Sequence, residues 1–100
     1  MLSTLSALAE PNRFRIVELL RSGPKHVGEI ERRLDLQQPQ VSKHLRVLRD
    51  AGLVVSSVAA QRRLYQLRPK PFRELDEWLD GYRSYWDARL DDLAAHLDNS

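Results

Sequence analysis

Gln38, Gln40, Ser42, Lys43, His44 and Arg46 fall within nine residues of one another and carry the donors and acceptors that read nucleic-acid bases. A glutamine amide can pair bidentately with adenine, and lysine or arginine can pair with guanine or a phosphate. Ser42 and His44 suit a phosphate or a single hydrogen bond to a base. A second polar group, Gln61, Arg62 and Arg63, follows further along the chain. A compact arginine pair can enter a minor groove or meet the sugar-phosphate backbone; an arginine pair also keeps an exposed strand edge soluble. Nothing comparable assembles for catalysis. The three histidines, His26, His44 and His96, lie on separate segments, and no pair of carboxylates marks a cleft. Zero cysteines exclude disulfides, thiolate metal sites and a cysteine nucleophile, and permit a cytoplasmic address. The chain is not expected to be an enzyme.

The net charge of +2 conceals an asymmetry. Residues 1–70 carry 13 Lys/Arg against 6 Asp/Glu, and residues 71–100 carry 3 against 8. The stretch 36–70 holds seven cations (Lys43, Arg46, Arg49, Arg62, Arg63, Arg68, Lys70) against the single acid Asp50. Such a basic middle is the electrostatic footprint of a polyanion binder. A protein-docking module is the rival reading, but its surface would be more apolar and less rich in arginine.

These residues need elements to position them, and 100 residues suffice for one domain, 1–100, with a modest core. Leu2, Leu5 and Leu8 recur at helical spacing. Pro11-Asn12 predicts a second helix start, with Asn12 as its N-cap, running to the stop at Ser22-Gly23-Pro24. A third helix is expected from about His26 to Leu34. After a break of three residues, Val41, Leu45 and Leu48 share the inner face of a fourth. Pro39 suits its first turn and Gly52 its left-handed end. At 100° per residue, Gln40, Ser42, Lys43 and Arg46 then face outward, with Gln38 in the first turn.

Beyond Gly52 the period changes. Residues 53–58 are rich in β-branched residues, and Arg62–Leu67 alternates as a strand does, so a hairpin is expected with Ala59-Ala60-Gln61 as its loop. Pro69 and Pro71 bracket a boundary before a long helix over 72–98 with a coiled-coil-like seam. The expected fold is mainly α with a small β-hairpin, in the order α-α-α-α-β-β-α. Within it lie a helix-turn-helix over 26–50, a wing over 53–67 and a last helix for dimerisation. Double-stranded DNA is the expected partner, because one helix fits the major groove while burying one stripe. No apolar run approaches the ~18–20 residues of a membrane span, and Met1–Ala9 lacks the basic start of a signal peptide.

The segment 9–20, AEPNRFRIVELL, resembles the opening of ArsR-type bacterial transcriptional regulators. VGEI at 27–30 and LQQPQVSKHLRVLRDAGLV at 36–54 resemble that family's helix-turn-helix, and RRLYQL at 62–67 its wing. The resemblance spans nearly the whole chain. Gln37 departs from it, standing where serine, a better N-cap, is usual. The resemblance implies a winged-helix repressor, homodimeric through its first and last helices, on a pseudo-palindromic operator. Leu2, Leu5 and Leu8 would then meet Leu75, Trp78, Leu79, Tyr82, Trp86 and Leu93 in the dimer.

The resemblance also raises metal sensing, for which this chain lacks the ligands. The family's thiolate positions are filled by His26 and Gly28, and its last-helix site by Asp80, Tyr82, Leu93 and His96. Two ligands of four make no closed tetrahedral site, so neither metal nor cofactor is expected. Trp78, Tyr82, Tyr85 and Trp86 place four of the seven aromatics in nine residues, which suits a dimer core or an apolar-effector pocket between protomers. The run from Tyr82 to Leu93 resembles the tail of a metal-independent subgroup whose members often control their own gene or a neighbouring operon.

Overall fold

Short polar contacts at the joint of the first two helices set the body of the molecule. In the computed structural model, which describes residues 1–98, α1 (Leu2–Leu8) is followed almost at once by α2 (Pro11–Leu20). The cap of α2 is Glu10 rather than Asn12: the Glu10 carboxylate accepts from the Arg13 N–H at 2.8 Å. Pro11 takes the first helical position, where a missing N–H costs nothing. Asn12 therefore lies inside the turn, where its Oδ1 accepts from Arg15 at 3.3 Å. Arg13 reaches back, Nε donating to the Ala7 carbonyl at 2.7 Å, and satisfies an open end of α1.

Lys25 and His26 form a two-residue strand, β1, so α3 (Val27–Leu34) starts one residue later than the sequence predicts. A strand this short leaves no periodicity to read. The turn after α3 begins with Asp35 in the left-handed region, φ 53°. Arg15 Nη2 donates to the Leu34 carbonyl at 3.0 Å, which ties the end of α3 to α2. α4 (Gln38–Asp50) buries Val41, Leu45 and Leu48 against Ile16, Ile30, Leu53 and Val54, and Gly52 follows it at φ 80°. Phe14 does not join this core; it is exposed on α2.

β2 (Val54–Ala59) and β3 (Arg62–Leu67) pair antiparallel, with Val54 opposite Leu67 and Ala59 opposite Arg62. With β1 they make a three-stranded sheet in the order β1-β3-β2, one strand more than the expected hairpin. Leu53 stays outside the ladder, its N–H donating to the Leu48 carbonyl and its own carbonyl accepting from Arg68, both at 2.9 Å. The β2–β3 connection is two residues, Ala60 and Gln61, at φ 52° and 64°. Two successive positive φ values are the signature of a type I′ turn, which favours asparagine and glycine. A left-handed alanine costs roughly 1–2 kcal/mol. Ala60→Asn is therefore expected to stabilise the fold by about 0.5–1 kcal/mol, since asparagine tolerates this region. A thermal melt would show a Tm higher by roughly 2–8 °C.

α5 (Pro69–Asp98) starts before Pro71, so the two prolines do not bracket a boundary. Both sit in its first turn, where N–H groups have no partner within the helix. Its 30 residues span about 45 Å, and the molecule measures 66 × 25 × 22 Å. Pro71 is buried and Phe72 packs on the core, but every described residue from Asp76 onward is exposed.

Candidate nucleic-acid interface

Helical geometry divides α4 as the spacing predicts. Val41, Leu45 and Leu48 face the core, while Gln38, Gln40, Ser42, Lys43 and Arg46 are exposed along the other side. Two of the glutamines are already oriented. Gln38 Nε2 donates to Ser42 Oγ at 2.8 Å, and Gln40 Oε1 accepts from the Gln37 N–H at 3.1 Å. The second contact lets Gln40 close the N-terminus that Gln37, as N-cap, would otherwise hold less well. Among the described residues Gln38 keeps its Oε1 and one N–H free, the pair that adenine recognition requires. Neither orientation is visible in the sequence, because both depend on side-chain rotamers.

His44 is the departure on this helix. Its side chain is only 12% exposed, and its Nδ1 lies 3.7 Å from Glu10 Oε2. Nδ1 has no hydrogen-bond partner among the described residues. The ring faces the start of α2 rather than the outer face of α4, so His44 braces the helix instead of reaching outward. The contact was hidden in the sequence by 34 residues of separation.

The Arg13 N–H, as the largest influence, holds the Glu10 carboxyl below its ordinary value of 4.5; burial opposes this and His44 assists it. A depressed carboxylate stabilises the fold above its ordinary pKa, and that contribution disappears as the pH falls through the folded value. Glu10→Gln is expected to melt below the parent protein at pH 7. Circular dichroism melts should show that gap narrowing as the pH falls below 4.5.

Arg62 and Arg63 open β3 beside the two-residue turn, and with Gln61 all three are exposed at the wing tip. The three sit together, on a separate element from α4. Across residues 36–70, Lys43, Arg46, Arg49, Arg62, Arg63, Arg68 and Lys70 form no ion pair among the described residues. On α5 the balance is different: Arg83 is clamped by Asp76 and Asp80, at 3.0 Å each. Positive charge is thus left unneutralised on α4 and the wing, which is what a polyanion requires.

A family profile described as "Bacterial regulatory protein, arsR family" matches residues 10–56, from the cap of α2 into β2. The HTH-type transcriptional regulator Rv2034 of Mycobacterium tuberculosis is 42% identical over 93% of this chain and 84% of its own length. This chain belongs to the ArsR family. The biofilm growth-associated repressor of Agrobacterium fabrum is 41% identical over 63% of this chain and 54% of its own. The crystal structure of a possible transcriptional regulator for arsenical resistance superposes with a TM-score of 0.71. It is 37% identical, and the match covers 95% of this chain and 96% of that one.

The fold of this ArsR-family chain is therefore the winged helix-turn-helix, with α3 and α4 as the helix pair and β2–β3 as the wing. Its function is DNA-binding regulation of transcription, and it is not an enzyme. No described helix is long and apolar enough to cross a membrane. The seam residues of α5 lie open: Leu79 is 42% exposed, Tyr82 51% and Trp86 58%. Leu2 is exposed on α1, whereas Leu5 and Leu8 are half-buried. Asp80 and His96, the two ligand types at the family's last-helix positions, are separated by about 24 Å of helix.

Proposed function

We propose that this regulator is a cytoplasmic, homodimeric repressor that binds a pseudo-palindromic operator and blocks promoter access. One domain, 1–100, carries every part, its final two positions lying outside the described residues. The unneutralised cations of α4 and the wing are the observation that carries the DNA contact. Gln38, Gln40 and Lys43 read base edges. Ser42 and Arg46 hold phosphates, and Gln61, Arg62 and Arg63 follow the neighbouring groove. His44 serves from within, holding α4 against Glu10.

The partner on α1 and α5 is a second copy. An isolated helix projecting with Trp78, Leu79, Tyr82, Trp86 and Leu93 exposed is stable only when that face is covered. Trp78 and Tyr82 meet edge to face at 5.0 Å, so much of this face is already arranged for contact. Leu2, Leu5, Leu8 and Leu75 complete the interface near the body. A dimer of this kind sets two copies of α4 about 34 Å apart, one turn of DNA. The donor set at the family's metal positions supports a regulator that works without metal.

Fluorescence anisotropy across a salt series tests the reading, comparing DNA upstream of the protein's own gene, a genomic-fragment pool and a scrambled duplex. Salt-steep binding that prefers a genomic sequence is the expected result. Equal, weak binding to every duplex would favour the docking module instead.

A further inference from the structure

Beside the wing lies a second basic feature that the recognition helix does not use. The start of α3 and the first residues of β3 enclose a groove of about 530 Å³, lined by His26, Gly28, Glu29, Arg32, Arg62 and Arg63. Three arginines thus line one concave surface drawn from two elements about thirty residues apart in sequence. None of the three is paired with a carboxylate among the described residues. Glu29 is the one acid on the rim, and its carboxylate is 3.7 Å from Arg33 Nη2, the next turn of its own helix. Like charges facing one groove repel, and an anion held between them relieves that repulsion.

The walls are fixed relative to each other. His26 Nδ1 lies 3.3 Å from the Arg63 carbonyl, which can only accept, so the ring donates and ties the start of α3 to β3. His26 also pairs with Leu64 across the β1–β3 ladder. Arg32 folds back along α3, its Nη1 3.6 Å from where a Cβ on Gly28 would sit. A side chain at residue 28 would narrow the groove beneath that guanidinium. Glycine leaves it open.

We infer that this groove is an oxyanion site that holds a phosphate group between Arg32 on α3 and Arg62 and Arg63 on the wing. Guanidinium forks match the geometry of phosphate oxygens bidentately. The phosphate can come from two sources. One is the DNA backbone beside the wing, which rests on the DNA-binding reading above. The other is a free phosphorylated molecule, which does not.

Arg32→Gln separates the possibilities, because Arg32 belongs to the groove alone and is exposed, so the fold should melt unchanged. Arg21→Gln, exposed at the end of α2, paired with Glu18 and not lining the groove, is the control. In the first arm, inorganic phosphate is titrated into the DNA-free protein and backbone amides are followed by NMR. Saturable shifts at residues 27–29, absent in Arg32→Gln and kept in Arg21→Gln, are expected. In the second arm, anisotropy is measured on a preferred and a scrambled duplex across salt. Arg32→Gln should lower the salt slope by about one and weaken both duplexes alike, leaving their ratio unchanged. Phosphate shifts with an unchanged slope assign the site to a free anion, and a reduced slope without shifts assigns it to the DNA backbone. Neither effect overturns the site. Should the parent protein bind no duplex, the DNA-binding reading fails, and the phosphate titration alone decides the groove.

Discussion

Replacing Lys43 and Arg46 together with alanine is expected to abolish preferred DNA binding while leaving folding and self-association intact. Both side chains leave the exposed side of α4, three residues apart, and so project along one line from the helix. Each good base or phosphate contact is worth about 1–3 kcal/mol. Losing two corresponds to a weakening of roughly 30-fold to 10⁴-fold. The salt slope should fall by as much as about two units if both cations displace counterions. Alanine is the strongest helix former, so α4 itself should persist. Val41, Leu45 and Leu48 would still anchor it. Anisotropy with sedimentation on the same samples checks both halves. A double variant that binds with the parent affinity and slope would remove α4 from the interface.

The second large effect concerns α5. Leu79→Glu combined with Trp86→Glu is expected to yield a folded monomer at micromolar concentration. Neither residue touches the core, so the melt of the body should change little, whereas two carboxylates on an apolar seam cannot be desolvated cheaply. Asp80 and Asp87 are neighbours in sequence and would add repulsion. A monomer engages one half-site at a time and loses the effective concentration that links the second, typically 10²–10⁴-fold in affinity. DNA affinity should therefore fall by at least about 100-fold although no DNA-facing residue has changed. A variant that sediments as a dimer would place the interface elsewhere on the chain.

These two experiments address surfaces of different legibility. The outward set on α4 follows from a single periodicity, since any helix that buries Val41, Leu45 and Leu48 must expose Gln40, Lys43 and Arg46. The bracing role of His44 does not follow from it. His44 lies at the edge of the buried stripe, and its direction is decided by Glu10 on another helix. The arginine-lined groove is equally silent in the sequence. Arg32 reads there as an outer-face charge on α3, and only the pairing of β1 with β3 brings it near Arg62 and Arg63.

What the sequence determined alone is local: helix periods, the stop at Gly52, the change to strand alternation, the charge asymmetry, and the motifs that carry the family resemblance. All of these depend on residues within a few positions of one another, where backbone geometry imposes a repeat. The tertiary structure decided the remainder. Lys25 and His26 became a strand because β3 offered them an edge, not because two residues prefer to be extended. Ala60 and Gln61 accepted left-handed angles because the ladder on either side required a two-residue turn. In each case a contact made through space outweighed a local preference of about 1 kcal/mol, and no local pattern records such a contact.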